Sequence, residues 1–167
     1  MRFTGRFGIL LCMVWFAAGS MPQAEDGYDL WLRYVRVDDT ARRAAYEGAL
    51  TTLVARDDSP TERVVVAELT RAMSGLLGRT LARAEAVAPS GTLVVGTPAR
   101  SAVVRALGWD ARLGTLGPEG FVIRSTTIDG RLATVIASTG EVGTLHGTFR
   151  FLRLLQTGRP VSSLDIA

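Results

Sequence analysis

Two runs rich in β-branched residues, Phe121-Val122-Ile123-Arg124-Ser125 and Leu132-Ala133-Thr134-Val135-Ile136-Ala137, stand on either side of Asp129-Gly130. An Asp-Gly pair between such runs is what a tight hairpin turn needs, because both central positions take positive φ. A hairpin makes neighbouring strands antiparallel, so a purely parallel sheet is excluded. Thr92-Leu93-Val94-Val95 is a short, fully apolar run closed by Gly96-Thr97-Pro98. Runs of that kind lie inside a sheet with both faces covered.

Helical signals fill the spaces between. In Ser59-Pro60-Thr61-Glu62, serine stands at the cap, proline at the first helical position and glutamate three residues after the cap. This spacing lets serine and glutamate each satisfy a free backbone N–H. The predicted helix runs to about Leu77, with Val65, Leu69, Met73 (or Ala72), Leu76 and Leu77 on one stripe and Gly78 as its stop. Asp38-Asp39-Thr40 caps an alanine-rich helix over Ala41 to Leu53. A short helix is expected over Ser101 to Leu107, and a loop over Gly114 to Gly120. A final helix is expected from Glu141 to Gln156, with Leu145, Phe149, Leu152 and Leu155 on one side. Tyr28 to Val35 alternates with period two and reads as a strand. Ala82 to Ala88 is ambiguous. The order strand, helix, helix, strand, helix, hairpin, helix gives an α/β (α+β) two-layer sandwich, a mixed β-sheet with helices packed on one face.

Size narrows the function. Residues 1–24 read as a secretory signal: Arg2 and Arg6, an apolar stretch from Phe7 to Ala18, then small residues at Ala17-Ala18-Gly19-Ser20 and Gln23-Ala24. This places the chain in the periplasm or the medium. It leaves residues 25–167 as one domain of 143 residues, too few for a (β/α)8 barrel, which takes about 250. Without the leader, the nineteen basic residues become seventeen against sixteen acidic, and the formal charge falls from +3 to +1. The remaining arginines are scattered, which argues against a nucleic-acid partner. No second apolar run approaches the ~20 residues of a membrane span.

Few residues could carry chemistry. The only cysteine, Cys12, lies in the leader, and there is one histidine and no lysine. Thiol catalysis, Schiff-base chemistry and a nitrogen/sulfur metal site therefore lack their ligands, and neither cofactor nor metal is expected. His146 has no nucleophile motif beside it and reads as a partly buried residue near a helix start. The acidic pairs Glu25-Asp26, Asp38-Asp39 and Asp57-Asp58 sit at element edges, where capping and solvation account for them. Sequence neighbours are also poorly placed to face each other across a glycosidic bond. Gly140, Gly143 and Gly147 fit no nucleotide fingerprint and read as close packing. No catalytic, cofactor-binding or metal residue is assigned. Trp31 and Tyr34 could stack on a sugar, or equally well fill a core.

Four stretches carry a family resemblance. Glu25-Asp26-Gly27-Tyr28-Asp29-Leu30-Trp31-Leu32-Arg33-Tyr34 resembles the start of the mature family 67 α-glucuronidases. Gly91-Thr92-Leu93-Val94-Val95-Gly96-Thr97-Pro98 and Leu116-Gly117-Pro118-Glu119-Gly120-Phe121-Val122-Ile123 look like two of its strands. The run from Gly143 to Gln156 looks like its final helix, with His146 where the family usually has tyrosine. The resemblance covers residues 25–167 and implies the N-terminal α/β domain, similar to the accessory domain of hexosaminidases. It also implies a (β/α)8 barrel partner that carries the catalytic carboxylates, with none of those motifs in this chain. The expected function is a non-catalytic accessory domain of a secreted α-glucuronidase of xylan degradation. The alternative is a free-standing exported module that binds a xylan oligosaccharide or a protein through Trp31, Tyr34 or a face usually covered by the barrel.

Overall fold

A computed structural model describes residues 33–167. Asp39 opens helix α1 (Thr40–Ala49), its carboxylate accepting the Arg42 N–H at 3.0 Å. The alanine-rich segment does not stay helical to Leu53, because Leu50 leaves the helical region and Thr52–Val54 form strand β1. That three-residue strand is buried along its whole length. Helix propensity is a weak prior, and here burial between two neighbouring strands outweighs it.

The capping box forms as its spacing demands. The Ser59 hydroxyl accepts from the Glu62 N–H at 3.1 Å, and the Glu62 carboxylate accepts from the Ser59 N–H at 3.1 Å. Helix α2 (Pro60–Leu77) then buries Val65, Leu69, Ala72, Met73, Leu76 and Leu77, and ends at Gly78 with φ +72°. Strands β2 (Ala82–Arg83) and β3 (Thr92–Gly96) follow. Two short helices come next, α3 (Ala102–Ala106) capped by Ser101, and α4 (Asp110–Gly114), which was not expected from sequence. Strands β4 (Val122–Ile128) and β5 (Arg131–Ala137) pair antiparallel across Asp129-Gly130, whose φ values are +50° and +75°. Both central φ values are positive, the condition for a type I′ turn. Helix α5 (Glu141–Gln156) and a two-residue edge strand β6 (Asp165–Ile166) complete the order.

The six strands form one mixed sheet in the order β2-β1-β3-β5-β4-β6. β2, β1, β3 and β5 are mutually parallel, and β4 runs antiparallel to both β5 and β6. This is the expected α/β two-layer arrangement, except that helices were expected on one face only and the short helices α3 and α4 lie on the other, because the strands bury both of their faces. Leu53, Leu93, Val95, Ile123 and Ile136 face the layer of α1, α2 and α5. Their alternates Val54, Val94, Val122, Val135 and Ala137 face the opposite way, onto Val104 of α3 and Leu113 of α4. Residues alternate in side along a strand, so each strand serves both clusters.

Helix α5 departs from the expected stripe in an informative way. Leu152 and Leu155 are buried as expected, but Leu145 and Phe149 are only half-buried. Gly143, Thr144, Gly147, Thr148 and Phe151 are buried instead. A Cβ on Gly147 would lie 2.6 Å from Ile136 Cγ2 and 3.2 Å from Phe121 Cβ, and one on Gly143 would overlap the Ser138 hydroxyl. The glycines are therefore packing residues, as the sequence suggests.

The strand expected over Tyr28 to Val35 lies outside the described residues as far as Leu32, and residues 33–35 are not in a strand. Tyr34 instead packs against Gly75 of α2, and its hydroxyl donates to Glu68.

Candidate functional site

The parallel strands place one candidate site. β1 leads into α2 on one face of the sheet, whereas its neighbour β3 leads into α3 on the other. Where adjacent parallel strands send the chain to opposite faces, a crevice opens beyond their carboxyl ends, and open α/β sheets bind ligands there. Here the crevice is a groove of about 680 Å³. Val54 to Asp58 line it from the end of β1, Arg83 to Glu85 from β2, and Arg100 to Val103 from the connection after β3.

Two of its lining residues, Arg100 and Asp58, belong to a network of charges that extends beyond the groove. The Arg100 guanidinium grips Glu62 with two parallel bonds, Nε to Oε1 at 2.7 Å and Nη2 to Oε2 at 2.9 Å. The same Nε lies 3.2 Å from Glu141 Oε1, and Nη2 lies 3.8 Å from Asp58 Oδ2. The Ser59 hydroxyl donates to Glu141 Oε2 at 2.5 Å. One arginine thus ties together the N-termini of α2 and α5 and the loop after β3. Bidentate arginine–carboxylate pairs are the strong, geometrically specific ones. At the outer wall Arg56 pairs with Asp58, and Arg83 lies 3.4 Å from Asp57.

The electrostatics disfavour proton donation. Arg100's hydrogen bonds hold the Glu62 carboxyl below its ordinary range, and the backbone N–H groups of Ser59 and Asp58 add to the effect, against a smaller opposing push from burial. A glycosidase general acid needs the reverse, a carboxyl raised by an apolar setting so that it keeps its proton near neutrality. Beneath the network lies a small cavity bordered by Glu62, Thr97, Glu141 and Thr144. Thr97 is 3% exposed, and its hydroxyl meets no hydrogen-bond partner among the described residues.

The residues singled out from sequence lie elsewhere or are otherwise engaged. His146 is exposed rather than partly buried, on the second turn of α5, with Nδ1 3.3 Å from the Glu119 carbonyl. Asp39 is a helix cap. Asp57 and Asp58 do border the crevice, each held by an arginine. The Arg71 guanidinium lies over one face of the Tyr34 ring, 5.6 Å from its centroid. Trp31, Glu25 and Asp26 lie outside the described residues. Sequence reading did not single out Glu62 as anything but a capping residue, nor Arg100 or Glu141 at all. Their only signal is position, each lying just after a predicted strand end or at a predicted helix start. Among the described residues no group of three His, Cys, Asp or Glu side chains is placed to hold a metal. No described helix is long and apolar enough to cross a membrane.

Among solved structures, the chain is similar to BtGH115A, a family GH115 4-O-methyl-α-glucuronidase with specificity for decorated arabinogalactans. The identity is 22% and the TM-score 0.48, over 64% of this chain and 13% of that one. The chain therefore spans only a small part of that enzyme's length. No curated protein matches it. The pattern described as "Glycosyl hydrolase family 67 N-terminus" matches residues 30–151, well over half of the sequence, and includes the strands and helix starts that build the crevice. On that match the chain belongs to the glycosyl hydrolase family 67 N-terminal domain family.

Proposed function

We propose that this chain is the accessory domain of an exported α-glucuronidase of xylan breakdown and is not itself the catalyst. A (β/α)8 barrel domain, joined to it, supplies the catalytic carboxylates and removes α-1,2-linked (4-O-methyl)glucuronic acid. The domain packs against that barrel and supports it. Family membership across residues 30–151 carries this reading. Two physical observations support the non-catalytic part. The carboxylates gathered at the crevice, Asp58, Glu62 and Glu141, are all within ion-pair distance of Arg100. Glu62 is also held in its ionised form. Export rests on the leader pattern in residues 1–24.

The direct test is release of glucuronic acid from aldouronic acids. The purified chain should release none, and a barrel from the same family should act when supplied in the same assay. Sustained turnover by the chain alone would reject the reading. Calorimetry with neutral xylo-oligosaccharides tests the separate idea of a free-standing sugar-binding module, and the expected result is no heat.

A further inference from the structure

Beside the crevice is a second depression, of about 440 Å³, lined by Arg56, Ala99, Arg100, Ala102 and Arg105. Three of its five lining residues are arginines and none is acidic. We propose that this depression is a binding site for a small oxyanion, a carboxylate, phosphate or sulfate group, independent of any role the domain has beside a barrel.

The three guanidinium groups are already held in place. Arg105 donates from Nε to the Pro98 carbonyl at 2.8 Å and from Nη2 to the Ala99 carbonyl at 2.9 Å. No carboxylate lies within ion-pair distance of it among the described residues, so its charge is not neutralised locally. Arg100 is fixed by its two bonds to Glu62. Arg56 is paired with Asp58. Asp58, Glu62 and Glu141 equal the three guanidinium groups in number, but all three stand with Arg56 and Arg100, so Arg105 is the cation left facing the depression without a carboxylate partner among the described residues. Guanidinium groups bind oxyanions with paired, charge-assisted hydrogen bonds. Because protein contacts already restrain these side chains, a ligand loses less of their rotamer freedom on binding. Arg56, Arg100 and Ala102 also line the adjoining groove. A ligand with its anionic group on the arginines therefore has room to extend along the crevice.

The test is a titration of the full chain with acetate and with inorganic phosphate at constant ionic strength, followed through the arginine Nε–Hε resonances. Saturable shifts are expected, confined to Arg56, Arg100 and Arg105. Arg105→Gln should weaken binding about tenfold, the loss of one charge-assisted hydrogen bond. Arg56→Gln, which leaves the Arg105 contacts intact, should weaken it as well. Arg150→Gln, at an exposed position on α5, should leave it unchanged. Shifts that do not saturate, shifts spread over all arginines, or an Arg105→Gln chain that binds as well as the original would each overturn the proposal. These outcomes do not depend on glucuronic acid release, so the two readings can fail separately.

Discussion

The same substitution should have opposite signs at two helical glycines. At Gly147 of α5 an added Cβ meets Ile136 Cγ2 at 2.6 Å and Phe121 Cβ and Cγ at 3.2 Å. Ile136 is fully buried at the centre of the sheet and has no room to retreat. Forcing a methyl into a packed core costs about 1–3 kcal/mol. Replacing glycine by alanine in a helix returns about 0.5–1 kcal/mol. Gly147→Ala should therefore lower stability by about 1–2 kcal/mol net. At Gly48 of α1 nothing lies within 4 Å of the added atom. Gly48→Ala should therefore stabilise, by about 0.5 kcal/mol given its place near the helix end. Urea unfolding followed by circular dichroism reads both as shifts in midpoint at unchanged slope. A double-mutant cycle adds a second check. Ile136→Ala alone should cost about 2–5 kcal/mol, but should cost less in the Gly147→Ala background, since it removes the atom the new methyl strikes. Coupling of about 1 kcal/mol is expected for groups in direct contact. A Gly147→Ala chain as stable as Gly48→Ala, or a cycle with no coupling, would refute the close approach of α5 to the sheet.

Two further predictions concern the crevice. Glu62 has a lowered carboxyl pKa in the fold, so its contribution is present above its unfolded pKa and is lost as the pH falls through the folded value. Between about pH 5 and 3, the unfolding midpoint of Glu62→Gln should fall less steeply than that of the original chain, and parallel slopes would contradict the Arg100 grip. Thr97→Val should raise stability by about 1 kcal/mol, because it removes a buried hydroxyl without a partner at little change in shape. A lower melting temperature would show that the hydroxyl is bonded in solution.

Features set by neighbouring residues were legible in advance. The Ser59–Glu62 capping box, the Asp129-Gly130 turn, the stripe of α2 and the buried run of β3 each depend on spacing within a few residues, where backbone geometry dictates the residue type. Strand β1 was missed because its three residues follow alanine-rich helix, and only pairing with β2 and β3, thirty to forty positions away, makes them a strand. Strand β6 was missed for a similar reason, since two residues carry no period and β4 alone defines them. In α5 the leucine spacing suggested an aliphatic face, but the sheet accepts the helix along its smallest residues, because Ile136 and Phe121 already fill the space.

The sequence by itself determined the capped helices, the hairpin, the mixed character of the sheet and the family pattern, all carried by short-range stereochemistry or by residues in a set order. The tertiary structure decided which charges meet. Glu62, Arg100 and Glu141 are 38 and 41 positions apart along the chain. They come together only because β1, β3 and β5 run parallel, which carries the starts of α2 and α5 and the loop after β3 to one end of the sheet. Ion pairing over such separations follows from topology, and no spacing within the chain encodes it.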